Sequence, residues 1–302
     1  MAAAPMLPEL IERPVEPLPP GWLRGLVSRA NAGWLAGSAV LLGLGAIGVI
    51  IQVVPSLKFL YLQQDLVATL KPPLSPRHLL GTDNLGRDLG WQLVSGLGTS
   101  LAIGIGVSLL SVLLGLVIGI IGGFFGRAAD AITNVVVDVT WAFPAILLAV
   151  LLAGWIGPSL TTVILALALT NWAGFARIVR GEVLSLRERD FVSAARVLGV
   201  PKVVISIRHL VVNLMPVTIV LSVYFVATSI IGEAGLTFLG LGVQPPMPSL
   251  GLILSTGREY IDISWWPVVL PGALLALLVL FLNALGDHLR ARLDPQGRVR
   301  RR

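Results

Sequence analysis

Apolar residues in this chain run in long, nearly unbroken stretches, not in the alternation of half-buried strands or the one-sided stripes of soluble helices. A helix that crosses a bilayer needs about 20 predominantly apolar residues. Six segments meet that length: 31–54, 99–121, 132–153, 158–178, 211–231 and 266–286. The pattern predicts an all-α, polytopic membrane protein with six transmembrane helices. Only residues 154–157 separate the third segment from the fourth, which predicts a tight helical hairpin. Longer connections lie at 55–98 and 232–265, a polar loop at 179–210, and no internal repeat of fixed period is present. The expected organisation is a tail at 1–30, a first helix and external segment at 31–98, a core of five helices at 99–286, and a basic tail at 287–302.

Composition supports that class. The chain has 302 residues, 55% hydrophobic and 13% charged, with a mean hydropathy of +0.88, whereas soluble domains carry about a quarter charged residues. There is no cysteine, hence no disulfide framework and no thiolate metal site. Residues 1–30 are proline-rich and polar, without the basic segment and apolar core of a cleaved signal peptide.

The net charge of +6 is a topology signal. Lysine and arginine concentrate on the cytoplasmic side of membrane proteins. With a cytoplasmic N-terminus, 17 of the 22 fall inside, seven of them between Arg177 and Arg208, and only Lys58, Lys71, Arg77, Arg87 and Arg258 fall outside. Both ends are therefore expected in the cytoplasm. Trp155, Trp265 and Trp266 are expected at the outer interface, where aromatic belts form. Nothing beyond charge points to nucleic acid.

Several chemistries are missing. All three lysines follow Leu57, Leu70 or Pro201, so no Gly-Lys-Ser/Thr phosphate loop exists and the chain is not expected to hydrolyse nucleotide itself. His78, His209 and His288 lie in loops or at helix ends, and no HExxH motif or carboxylate–histidine cluster appears. In the 79–88 segment, Asp83 and Asp88 lack calcium-loop spacing. They are expected to pair with Arg87 or to cap the second span. A conduit fits these absences better than a catalyst.

The polar loop holds the most specific element, "DFVSAARVLGVPK" at 190–202. Asp190 is a candidate N-cap. Phe191, Ala194, Ala195 and Leu198 fall at i, i+3, i+4 and i+7, one face of a short helix. Gly199 supplies a left-handed stop and Pro201 forbids continuation. A lipid-surface helix would show bulkier residues than two alanines on that face; small residues suit a close protein contact.

"SAARVLG" followed by "IRHLVVNLMP" resembles the cytoplasmic EAA loop of ABC importer permeases. "LLGTDNLGRDLGWQLVSGLGTSL", "DVTWAFPAILLA" and "GEAGLTFLGLGVQPPMPSLG" resemble the second permease subunit of dipeptide, oligopeptide and nickel importers. Ser193 stands where the family has its name-giving glutamate, and Val212 where it usually has proline. The resemblance implies a type I ABC importer permease fold in a bacterial cytoplasmic membrane, and peptide import. It also implies a homologous permease partner, two ATPase subunits or domains that carry ATP and Mg, and an extracytoplasmic substrate-binding protein. No cofactor is expected on this chain. Residues Asp190, Phe191, Ala194, Ala195, Arg196, Leu198 and Gly199 would form the helix that couples to the ATPase. An ion- or proton-driven secondary transporter is the rival; it calls for coupling-ion sites on broken helices and usually an inverted repeat.

Other residues have two readings each. Ser111, Gly115, Gly119 and Gly123 form a small-xxx-small row, which the resemblance places between permease subunits, with packing inside the subunit as the alternative. Asp138, an ionisable residue in a span, either lines the path or bonds a neighbouring helix. Asn171 and Trp172 are path candidates of unknown orientation. Glu233 is expected to shape the turn after the fifth span, and Pro144 and Pro216 to interrupt their helices.

Overall fold

The computed structural model describes residues 32–293; residues 1–31 and most of the basic tail lie outside the described residues. Eleven α-helices and no strand occupy them. In chain order these are α1 (Ala32–Val53), α2 (Phe59–Leu62), α3 (Leu89–Phe124), α4 (Arg127–Ala142), α5 (Ala145–Ile156), α6 (Leu160–Leu186), α7 (Asp190–Val197), α8 (Lys202–Ile205), α9 (Val211–Phe238), α10 (Leu250–Gly257) and α11 (Trp266–Leu293). A π-turn, Ser206–Leu210, splices α8 to α9, so that Lys202–Phe238 is one apolar run of 37 residues. Among the described residues five helices are long and apolar enough to cross a membrane, and the bent pair α4–α5 makes a sixth when the two are counted as one span.

That bend corrects the sequence expectation for 132–153, which is not one helix. The two halves meet at 82°. Phe143 is extended at φ −98° and ψ 135°, as the residue before a proline prefers, and Pro144 cannot donate to the preceding turn. The hairpin between the third and fourth spans is present, turning at Gly157 with φ +98°.

The second span is longer than its apolar core. The Asp88 carboxylate accepts from the Trp91 N–H at 3.1 Å and starts α3 ten residues ahead of the expected boundary. Gly96 and Gly98, which read as connection, are close-approach points. A Cβ on Gly98 would lie 2.5 Å from the Val49 nitrogen of α1, and one on Gly96 3.2 Å from the backbone of Ser249. The helix of 36 residues is about 54 Å long, so its N-terminal end carries the 55–88 segment at one end of the bundle and its C-terminal end meets α7 at the other.

The small-residue row on α3 packs inside the subunit. Ser111, Gly115, Gly119 and Gly123 are buried against α6. The Ser111 hydroxyl faces the Ala168 carbonyl at 3.4 Å, and a Cβ on Gly119 would lie 2.8 Å from the Ala176 oxygen and from the Val179 Cβ. The alternative to a subunit interface is therefore the correct reading.

At the opposite end from α7, Asp83 accepts from the backbone N–H groups of Leu85 and Arg87, from Arg87 Nε at 2.7 Å and from Gln92 Nε2 at 2.8 Å. Asp88, besides capping α3, pairs with His78 Nδ1 at 2.9 Å. The acids thus pair and cap as expected. Trp155 and Trp265 are exposed, but Trp266 is buried and its indole donates to the Thr82 carbonyl at 3.1 Å. It anchors the loop to α11 and does not belong to an interfacial belt.

Candidate functional site

The loop between α6 and α9 folds into α7, an eight-residue helix fixed at both ends. Arg189, extended at ψ 148°, is its N-cap, and its carbonyl accepts from Val192 and Ser193 at 3.0 and 3.2 Å. Asp190 is therefore the first helical residue and not the cap, although an acid there still meets the positive end of the helix dipole. The C-terminal stop is as expected. Gly199 adopts φ +74°, its N–H bonds Arg196 O at 3.0 Å, and the Val200 N–H bonds Ala195 O at 3.0 Å. This pair of reversed bonds is a Schellman motif.

The face turned to the body differs from expectation. Val192 and Ala195 are buried and Phe191 is half-buried, among Val183, Ile205, Leu210 and Leu214. Ala194 is exposed and Leu198 is 81% exposed, so the predicted set of Phe191, Ala194, Ala195 and Leu198 does not form one buried face. The rotation follows from the joints. Three residues connect α6 to α7, and Arg187 is held by its N–H to Val183 O and its Nη1 to Gly123 O at 3.2 Å. Arg196 stacks on the Phe124 ring at 5.2 Å, and Phe191 lies 6.2 Å from the His209 ring. Exposed apolar side chains cluster after the last turn: Val197 and Leu198 at the end of α7, Val203 on α8 and Ile207 in the π-turn. Val192, which sequence spacing passed over, is the residue that seats the helix; its i, i+3 relation to Ala195 was the available signal.

Val212, in the place of the family's proline, sits exposed within α9. The helix runs through it because its N–H is available. The adjoining π-turn is capped sideways by Asn213 Nδ2, which donates to His209 O at 2.7 Å.

Four more candidates separate cleanly. Glu233 is fully buried and accepts from the hydroxyls of Ser100 at 3.1 Å, Thr237 at 2.8 Å and Ser249 at 2.8 Å. Ser249 is also the N-cap of α10, so the carboxylate ties α9, α3 and α10 together from within α9, before the turn that the sequence assigned it to. Trp172 is buried with Val137 and Ala176, which makes it packing. Asn171 is half-buried on α6, one turn before Gly174, but lies about 120° around the helix from Arg177. Asp138 pairs with Arg177 Nη2 at 2.6 Å, and that guanidinium lies 4.0 Å over the Trp141 ring. Neither Arg177 nor Trp141 stands out in sequence, because their partners come from different helices. No group of three metal-ligating side chains occurs among the described residues.

Residues 115–296 match the family model of the binding-protein-dependent transport system inner membrane component. The chain is 41% identical to a peptide transport system permease protein of Brucella suis over 227 residues, 75% of this chain and 76% of the relative. It is 39% identical to the dipeptide transport system permease protein DppC of Alkalihalophilus pseudofirmus, covering 74% and 73%. With the oligopeptide transport system permease protein OppC of Salmonella typhimurium it shares 36% over 265 residues, 87% and 88% of the two chains. In fold it resembles a chain of the inward-facing MetNI methionine ABC transporter, with a TM-score of 0.57 at 21% identity over 68% of this chain and 98% of that one. A match over this length, with a helix-bearing loop between the fourth and fifth spans, means that the chain belongs to the family of inner membrane components of binding-protein-dependent transport systems.

Proposed function

We propose that this chain is one of two permease subunits of a peptide-importing ABC transporter in a bacterial cytoplasmic membrane, with both ends in the cytoplasm. Its partners are a homologous permease, two ATPase subunits or domains that hold ATP and Mg, and an extracytoplasmic binding protein, all within membrane lipid and without nucleic acid. The observation that carries the reading is α7, buried on one side and exposing its other side, with Val197 and Leu198 at its end. With no phosphate loop in the sequence, the permease takes work from ATP through that exposed side, where Leu198, Gly199, Arg196 and the first turn at Asp190 meet the ATPase. The peptide assignment is supported by the names of the relatives, and the orientation by the lysine and arginine balance.

The purified chain alone is expected to show no ATPase activity; with its partners it imports peptide, and removal of ATP stops uptake. Uptake that persists without ATP and collapses with the proton gradient would establish the secondary transporter instead. Orientation has a separate test, because the chain has no native cysteine. Arg196→Cys is expected to resist an impermeant thiol reagent in intact cells, while Arg77→Cys reacts with it. The reverse pattern overturns the orientation.

A further inference from the structure

Two features of the α4–α5 span are unsuited to lipid. Asp138 and Arg177 form an ion pair whose side chains are 67% and 45% exposed, on helices that together or alone qualify as membrane-crossing. Charged groups in spans are costly in hydrocarbon and face bundle interiors or water-filled cavities. The second feature is the break itself. Phe143 and Pro144 are exposed where the helix bends by 82°, and interrupted backbone at membrane depth is tolerated only against protein or water. Both lie over one floor: a Cβ on Gly174 of α6 would come 3.6 Å from the Trp141 ring, and one on Gly235 of α9 3.5 Å from Ile146.

We propose that this surface lines the solute path and that Asp138 and Arg177 are its charged contacts, taking a zwitterionic solute with its carboxylate on Arg177 and its ammonium on Asp138. The proposal rests on reading the chain as an importer permease. The pair is closed when the path is empty, so neither charge is stranded. A solute bearing both charges replaces each partner in kind, whereas a solute with one charge replaces only one of the two. The Trp141 ring holds the guanidinium by its face and leaves its edge free for a carboxylate.

Accessibility is tested first, without transport. In the assembled complex, Arg177→Cys and Asp138→Cys are expected to react with a sulfonate-bearing methanethiosulfonate at least tenfold faster than Leu113→Cys, an exposed apolar position on α3. Equal rates overturn the path assignment. Selectivity is tested next, with Ala-Ala, its C-terminal amide and its N-acetyl form, each variant being compared with the wild-type complex for the same peptide. Arg177→Gln is expected to slow the free acid about tenfold more than the amide, and Asp138→Asn to slow the free amine about tenfold more than the acetylated form; Arg177→Lys restores most of the first loss. A purely structural pair slows all three peptides alike, which overturns the proposal. A wild-type complex that moves no peptide overturns the importer reading instead and leaves the labelling result standing.

Discussion

Gly119→Leu yields no folded subunit that survives extraction into detergent, and Gly119→Ala one that unfolds at a lower temperature than the wild type. A Cβ at this position would sit 2.8 Å from the Ala176 oxygen, and the backbone has nowhere to retreat. One turn before, Gly115 faces the Ala176 nitrogen at 2.8 Å from its own ideal Cβ; one turn after, Gly123 faces Val183 Cγ1 at 2.6 Å. Overpacking of this kind costs about 1–3 kcal/mol for added methylenes, and a leucine adds four carbons where none fits. Size-exclusion profiles and thermal unfolding of the lone subunit measure the effect. A row that served the partner permease instead would leave the Gly119→Leu subunit monodisperse at wild-type stability and fail only at co-assembly. That outcome would refute the seam between α3 and α6.

Gly199→Val inserts, folds and joins its partner permease, yet loses coupled transport. The contrast with Gly119 is that nothing lies within 4 Å of a Cβ at Gly199, so the substitution meets no clash. Its cost is conformational. The left-handed region costs an ordinary residue about 1–2 kcal/mol, and a β-branched residue there is a genuine outlier. Strain at φ +74° is relieved by unwinding the last turn of α7, which carries Arg196 and Val197. Binding-protein-stimulated hydrolysis and uptake are expected to fall together by about tenfold, since 1.4 kcal/mol is a factor of ten. Gly199→Asn, a residue that tolerates this region, should lose much less. Full uptake by a correctly inserted Gly199→Val complex would refute the role of this stop.

What the sequence reveals and what it hides separate by range. Local signals carried well: Gly199 and Pro201 end α7, Asp83 and Asp88 pair and cap, and long apolar runs mark the spans. The structure departs from local pattern wherever a second element decides. Asp190 looks like a cap, but the short joint at Arg187–Arg189 moves the cap back one residue, and the same joint turns Val192 inward in place of Leu198. Gly96 and Gly98 look like loop until α1 and α10 lie against them, when they become contact points on a helix. Pro144 announces an interruption, yet only the packing of α5 against α6 and α9 turns it into an 82° break. The pairing of Asp138 with Arg177, 39 residues apart, carries no sequence signature at all.

The joints of α7 also have a mechanical meaning. Three residues link it to α6 and four link it to α8, lengths that span at most about 10 and 14 Å when fully drawn out, so the tethers hold little slack. Any displacement of this small helix is handed to two long ones together. The run that starts at Lys202 has 37 residues, which makes it a lever arm of about 55 Å. A sideways push of about 5 Å at that end tilts such an arm by about 5° if it stays straight, and less at the far end if Pro216 yields as an elastic joint. Stiffness at Pro216 thus sets the gearing ratio between a stroke at α7 and the opening of the opposite end, where the hydroxyls around Glu233 clamp the arm to its neighbours.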